Sequence, residues 1–440
     1  MKTHCRIALI AAAGCLVLPA SYAATPDDTS ADTPVDNTEI KQQLSQLKAQ
    51  IAALEARLAE QEKEQAELSE QQAMVIASKQ PEPATEEKDG IKLGGAIRTN
   101  YSHTSYSDGN KNRGGDFAFD IFRFNLNGSI GDVLLNAEIR FFDYMTAVKY
   151  AYVGYQFTDD WQVQAGITKV PFGNWPYNSH NWFFSTNYYI GLEDDHDLGI
   201  LFKRQLSDNW QLDLGFFKND ELGGVDGYVG SRADRYSYDI VGARLQGDGI
   251  YDDPAQTLGE YNTFSGRFGY HLTHGELKTE LGVSALAGGL HNGQTRAGDY
   301  NAWALHSNSY YHNWNLQLQY SQYQYDIDGV DRIAVGAYAF YDSIAAEATS
   351  ATVNLAYSMP VEWGPVTGLQ FYNNYGLVYD KSDGSRDTMM NITGVSVAAG
   401  GFFTYFDLVH AKNQPFVGGS ASGDSSETER RFNINIGYYF

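Results

Sequence analysis

The sequence predicts an all-β fold: a closed antiparallel transmembrane β-barrel of 16 strands, or 18 by a looser count, preceded by an N-terminal α-helical coiled coil. Three observations predict it. From Ile91 onward apolar and polar residues alternate with period two through many short segments. Short turns such as Thr158-Asp159-Asp160 and Ser207-Asp208-Asn209 alternate, in the first half, with long polar connections such as 106–115 and 220–235. The composition is that of strands and turns, with 31 Tyr, 23 Phe, 7 Trp and 44 Gly in 440 residues. A formal charge of −23, with 54 Asp+Glu against 31 Lys+Arg, excludes a nucleic-acid binder built on basic patches.

The chain opens with an apolar run from Ile7 to Leu18, after Lys2 and Arg6 and before the small residues Ser21 and Ala23. This is the layout of a secretory signal peptide over 1–23. The apolar core continues past Cys15, which argues against lipidation there. Both cysteines, Cys5 and Cys15, fall inside that segment, so the exported chain would have no disulfide or thiol chemistry. Loss of Lys2 and Arg6 takes the charge from −23 to −25.

Residues 24–39, rich in Asp, Thr and Pro, read as a flexible leader. Over 40–78 a heptad seam follows, with Leu44, Ile51 and Leu58 at one core position and Ile40, Leu47 and Leu54 at the other. Such a seam needs partner chains, so it predicts an oligomer. Pro81 and Pro83 end it within a linker over 79–90.

The barrel is expected over 91–440. Ile91, Leu93, Ile97 and Tyr101 oppose Lys92, Arg98 and Asn100; Phe122, Phe124 and Leu126 oppose Arg123, Asn125 and Asn127. Leu135, Ala137, Ile139 and Phe141 oppose Asn136, Glu138 and Arg140, and similar runs start at Trp161, Trp210 and Trp314. The polar face would line a water-filled lumen, because closure satisfies every backbone group in lipid. The last strand alternates from Phe432 through Ile434, Ile436 and Tyr438 to Phe440. A lipid-facing strand ending on an aromatic is typical of bacterial outer-membrane barrels, which makes Tyr438 and Phe440 the candidate signal for the barrel assembly machinery.

Gly166-Ile-Thr-Lys169-Val-Pro171-Phe172-Gly173, Tyr357-Ser-Met-Pro360-Val361, Phe371-Tyr372-Asn373 and the closing Phe432–Phe440 segment resemble the phosphate-selective porin O and P family of Gram-negative outer membranes. The resemblance implies 16 strands, a homotrimer and a third extracellular loop folded into the pore. It also implies contact with outer-membrane lipid and lipopolysaccharide, with the coiled coil in the periplasm. Phosphate selectivity does not carry over, because residues 91–440 hold only 23 Lys+Arg against 39 Asp+Glu.

The alternation places Arg98, Arg123 and Arg140 on one inner wall, with Arg244, Arg267 and Lys278 on polar faces further round. Each can instead neutralise a carboxylate such as Glu138 or Glu280. The segment 171–197 is the candidate inward-folded loop. It carries Trp175, Tyr177, Trp182, Phe183 and Phe184 as an aromatic track or as packing, and ends in Glu193, Asp194, Asp195 and Asp197. Folded inward, that acidic end would face the arginines across an eyelet and set a transverse field. As a solvated loop it could take up Ca2+; otherwise no cofactor or metal site is expected. No His-Glu-x-x-His, Gly-x-Ser-x-Gly or phosphate-cradling loop occurs, so an enzyme is not expected. The expected function is passive diffusion of ions and small hydrophilic solutes. A saccharide-selective channel and an adhesin or tether without transport are the alternatives.

Overall fold

The computed structural model describes residues 90–182, 185–227 and 229–440. The expected signal peptide, leader, coiled coil with its Ile40 to Leu58 seam, and linker up to residue 89 lie outside the described residues, as do Phe183 and Phe184.

Twenty strands follow one another: β1 (Gly90–Thr104), β2 (Asp116–Ile130), β3 (Val133–Phe141), β4 (Thr146–Thr158), β5 (Trp161–Lys169), β6 (His196–Ser207), β7 (Trp210–Asp220), β8 (Asp239–Ala243), β9 (Gln256–Thr257) and β10 (Gly259–His274). Then come β11 (Leu277–His291), β12 (Arg296–Tyr311), β13 (Trp314–Asp326), β14 (Arg332–Ala337), β15 (Phe340–Ala345), β16 (Glu347–Trp363), β17 (Val366–Tyr379), β18 (Thr388–Ala399), β19 (Phe402–Lys412) and β20 (Glu429–Tyr439). Sixteen of them form a closed antiparallel barrel in which β7 pairs with β10, β13 with β16, and β20 with β1. The other four form a separate sheet in the order β15-β14-β8-β9. The higher strand count is thereby corrected: the barrel has 16 strands, and the second sheet lies within two of its loops.

With those strands set aside, the connections sort cleanly. Every turn at one rim has two residues, and every connection at the other rim is longer, numbered here loop 1 (105–115) to loop 8 (413–428). The connection after Leu272 joins the short-turn rim: β10 runs on to His274, and Gly275 takes the positive φ of 59° that a two-residue hairpin turn requires.

The outer face is apolar, with Leu93, Phe117, Ile130, Val153, Phe264, Leu305 and Phe402 all exposed. Inside, Asn100, Asn125, Gln164, Asn354, Asn433 and Asn435 are buried. An outward apolar sheet around a polar interior inverts the arrangement of a water-soluble barrel and suits hydrocarbon surroundings.

The lumen is not evenly filled. A cluster of buried side chains from loop 3 (Val170, Phe172, Tyr188, Ile190), the second sheet (Ile240, Ile333, Val335) and loop 8 (Val417) packs against Leu286, Leu290, Tyr300 and Tyr325 of β11 to β13. The inner faces of β1 to β3 are left to arginines.

Closure depends on the two ends of the barrel meeting. Gly95 N donates to Phe440 O at 2.9 Å and Phe440 N to Gly95 O at 3.1 Å. A Cβ on Gly95 would stand 2.6 Å from the Arg123 carbonyl and 2.7 Å from the Phe440 ring. Gly95→Val should therefore open the β1–β20 seam at a cost of about 1–3 kcal/mol. The expected result is a lower heat-modifiable folded fraction on cold SDS gels, with Gly90→Val, which meets no neighbour, as the unchanged control.

Candidate functional site

Loop 3 (170–195) crosses the barrel interior. It leaves β5 and turns into the lumen at Pro171-Phe172-Gly173-Asn174, pinned to the far wall: Ser265 Oγ donates to Pro171 O at 2.9 Å, Arg267 Nε to Gly173 O at 2.9 Å, and Asn174 N to Gln319 Oε1 at 2.8 Å. Gly173 is required there, because it has a φ of 64° and a Cβ would meet the Gln319 amide. The loop then runs along β16 and β17. Asn178 Nδ2 donates to Thr352 Oγ1 at 2.7 Å, Asn354 Nδ2 to Asn178 O at 2.7 Å, and the His180 ring bridges Asn374 and Asn315.

The return leg ends on Asp194, whose φ of 54° is one that Asp tolerates better than most residues. Its fully buried carboxylate accepts from Lys149 Nζ at 2.8 Å, Lys169 Nζ at 2.9 Å and the Tyr236 hydroxyl at 2.6 Å. Loop 3 is thus held to β4, β5 and loop 4 (221–258) at once. Burial pushes the Asp194 carboxyl up, but the two ammoniums outweigh it and hold it well below the usual carboxylate range.

The three arginines from successive strands come together. Arg123 and Arg140 are direct cross-strand partners, and Arg98 lies on β1 beside them. None stands alone. Glu138, fully buried, receives Arg140 at 2.6 Å and Arg123 at 3.1 Å, and Arg98 meets Asp120 at 2.8 Å. The wall carries three positive and two negative charges.

Two cavities open along this wall. One, of about 140 Å³, is lined by Arg98, Arg123, Arg140, Trp175, Tyr177 and Trp182, and reaches Asn308 and Asn315 near the short-turn rim. The other, of about 210 Å³, lies on the loop side against Tyr144, Tyr338 and Phe416. Arg98, Arg140 and Trp182 line both, so these three side chains stand between the two spaces.

Several expectations require correction. Glu193 does not face the arginines: Asn178 N at 2.8 Å and Ser185 Oγ hold it inside loop 3. Asp195 and Asp197 point the other way, toward Glu260 and Tyr300, and Asp197 belongs to β6 rather than to the loop. Only Asp194 of the four acids meets cations, and those are lysines. Arg244 is not on the barrel wall. It follows β8 of the second sheet, with Nε donating to Ser343 Oγ at 2.9 Å and its other nitrogens to loop 4 carbonyls. Arg267 is bound by Glu280 and Asp213 beneath the loop 3 entrance, and Lys278 shares its inward register as an exposed side chain near the short-turn rim. Trp175 lies under Lys169 and Lys203, and Tyr177 under Lys149 and Lys169, so these rings stack on cations; Trp182 alone of the described track residues lines both cavities. Tyr438 and Phe440 project outward.

Alternation could not find Lys149 and Asp120. In β4 the pairing skips from Glu138↔Tyr150 to Ile139↔Val148, and in β2 from Arg98↔Ile121 to Thr99↔Phe119. Each skipped residue is the extra member of a β-bulge, aimed inward beside an inward neighbour.

No protein-family model and no curated protein sequence matches the chain. Solved structures do. OprB of Pseudomonas putida is similar with a TM-score of 0.52 at 9% identity, over 80% of this chain and 94% of that one. The anion-selective porin from Comamonas acidovorans (TM-score 0.50, 13% identity) is matched over 80% of this chain and 99% of its own. The trimer form of OmpT, an outer membrane protein of Vibrio cholerae (TM-score 0.50, 12% identity), is matched over 80% and 100%. The fold is that of the outer-membrane porins. At these identities the likeness concerns the barrel.

Loop 3 also carries a proton-dependent element. Burial lifts the Glu193 carboxyl to about 7, against the hydrogen bonds from Ser185 and Asn178. A carboxyl raised in the folded state stabilises fully below its unfolded value near 4.5, and that contribution is lost as pH rises through about 7. Protection of loop 3 amides from hydrogen exchange, corrected for intrinsic rates, should therefore fall between these pH values by an amount approaching about 3 kcal/mol. Glu193→Gln should abolish the fall.

Proposed function

We propose that this protein is an outer-membrane porin that passes small hydrophilic solutes by passive diffusion, with an eyelet between Trp182 of loop 3 and the guanidiniums of Arg98 and Arg140. The observation that carries the reading is that one cavity on each side of these three residues is lined by all of them. A polar interior inside an apolar, closed sheet supports the membrane setting. The mechanism is size exclusion by the loop together with a weak excess of positive charge on the β1 to β3 wall, which favours anions without a tight binding site. No preference for phosphate is assigned. The heptad seam over 40–58 favours an oligomer, and the trimer form of the similar Vibrio cholerae protein favours three chains, with small ions and solutes as the cargo and the barrel assembly machinery acting on the last strand.

In planar bilayers the purified protein should give stepwise conductance, and Trp182→Ala should raise the unit step by roughly half or more by widening the eyelet. A protein that inserts without conducting would remove the channel reading in favour of a plugged tether. Replacing Arg123 and Arg140 together by Ala leaves Glu138 as the local charge. Under a salt gradient the reversal potential should move toward cation preference, whereas an unchanged potential would take both arginines out of the ion path.

A further inference from the structure

On the side of loop 3 away from the arginines lies a second charged cluster for which conduction has no use. Asp195 from loop 3, Asp197 from β6, Asp220 from β7, Glu221 from loop 4, Asp239 from β8 and Glu260 from β10 converge there, and all but Asp195 are buried. Two guanidiniums enter it. Arg235 reaches Asp220 at 2.7 Å, Asp239 at 2.7 Å and Glu221 at 3.5 Å, while Arg232 binds Asp220. Six carboxylates against two guanidiniums leave a net charge of −4 if all are ionised. Burying such an excess costs several kcal/mol per ion unless another cation joins it.

The geometry shows where that cation fits. Asp197, only 1% exposed, has its Oδ1 without any hydrogen-bond partner, and among the described residues no Lys, Arg or His pairs with it. Glu221 Oε2 and Asp195 Oδ1 also have no hydrogen-bond donor. One carboxylate oxygen each from Asp197, Glu221 and Asp239 lies within 4.8 Å of the others. A point no more than about 2.8 Å from each of three oxygens so spaced always exists, a few tenths of an ångström beyond a Ca2+–oxygen contact of about 2.3–2.6 Å, so small side-chain movements let the three share one ion. Oxygen-only, acidic ligands select a hard divalent cation over a transition metal.

We propose that Asp197, Glu221 and Asp239 form a binding site for a divalent cation of the calcium class, which ties loop 4 and the second sheet to the β6 wall. The ion joins segments that are far apart in sequence, and it would hold the loop assembly in the lumen from the side opposite Asp194. The alternative is that protons neutralise the cluster, in which case no metal is taken up.

The test uses the full-length protein in detergent at pH 7.5. Bound calcium is measured by elemental analysis, and Ca2+ is titrated calorimetrically after EGTA treatment. The expected result is one ion per chain, and a gain of several degrees in melting temperature on adding Ca2+. Asp197→Asn, close in shape, should weaken binding at least tenfold and lose the thermal gain, as should Glu221→Gln, while Asp208→Asn at the short-turn rim should behave as wild type. Heat-modifiable migration confirms that each variant is folded. Wild type that neither carries calcium nor takes it up, or folded Asp197→Asn that binds as tightly as wild type, would overturn the proposal. Because the readout is binding and not current, its outcome is independent of the channel reading.

Discussion

One buried carboxylate holds the lumen in its present form. Asp194 takes two ammoniums, from β4 and β5, and a hydroxyl from loop 4, and so fixes the end of loop 3 that does not lean on the far wall. Burying a lone charge in this way would be prohibitive; burying it with two cations and a further donor makes a network in which each member needs the others. Loop 3 is therefore a strap secured at both ends, by amides and hydroxyls on β10 to β17 and by charge on β4 and β5. Trp182, between the two attachments, is held where it can narrow the passage.

The two halves of the interior use different physics. Around Tyr188, Ile190, Ile240 and Ile333 the loops form an apolar core of the kind found in soluble proteins, and it packs on the β11 to β13 wall. Around Arg98, Arg123 and Arg140 the aromatic rings line cavities instead of closing them, and the charges are grouped in small, nearly neutral sets with Asp120 and Glu138. Packing closes one side of the barrel, and mutual neutralisation keeps the other side open to water without a strong fixed field.

Much of this was legible in the sequence. Period-two alternation located the sheet, its inner face and the arginine trio, because a residue's side follows from parity alone once a strand is recognised. The segment 171–197 stood out by length and aromatic content. Parity failed for particular residues with particular causes. Arg244 directly follows β8, a strand that pairs with β14 and β9 instead of the barrel, and nothing local in the sequence marks that difference. The acidic run 193–197 reads as one patch, yet a positive φ at Asp194 and the start of β6 at His196 send its members to three destinations. Lys149 and Asp120 were invisible because a bulge inserts one residue without a sequence mark of its own.

Those two bulges bear on how such a lumen changes over evolutionary time. In a strict two-residue alternation, a new inward charge must replace a residue that already lines the interior. Lys149 and Asp120 occupy places that the alternation does not provide, added beside Tyr150 and Ile121 without displacing them. Removing either residue from the chain would not leave a gap; it would straighten the strand into regular alternation, with the side chains on both flanks keeping the faces they have now. The ionic character of this interior can thus be rewritten by single-codon insertions and deletions, a route that a comparison of aligned substitutions would not reveal.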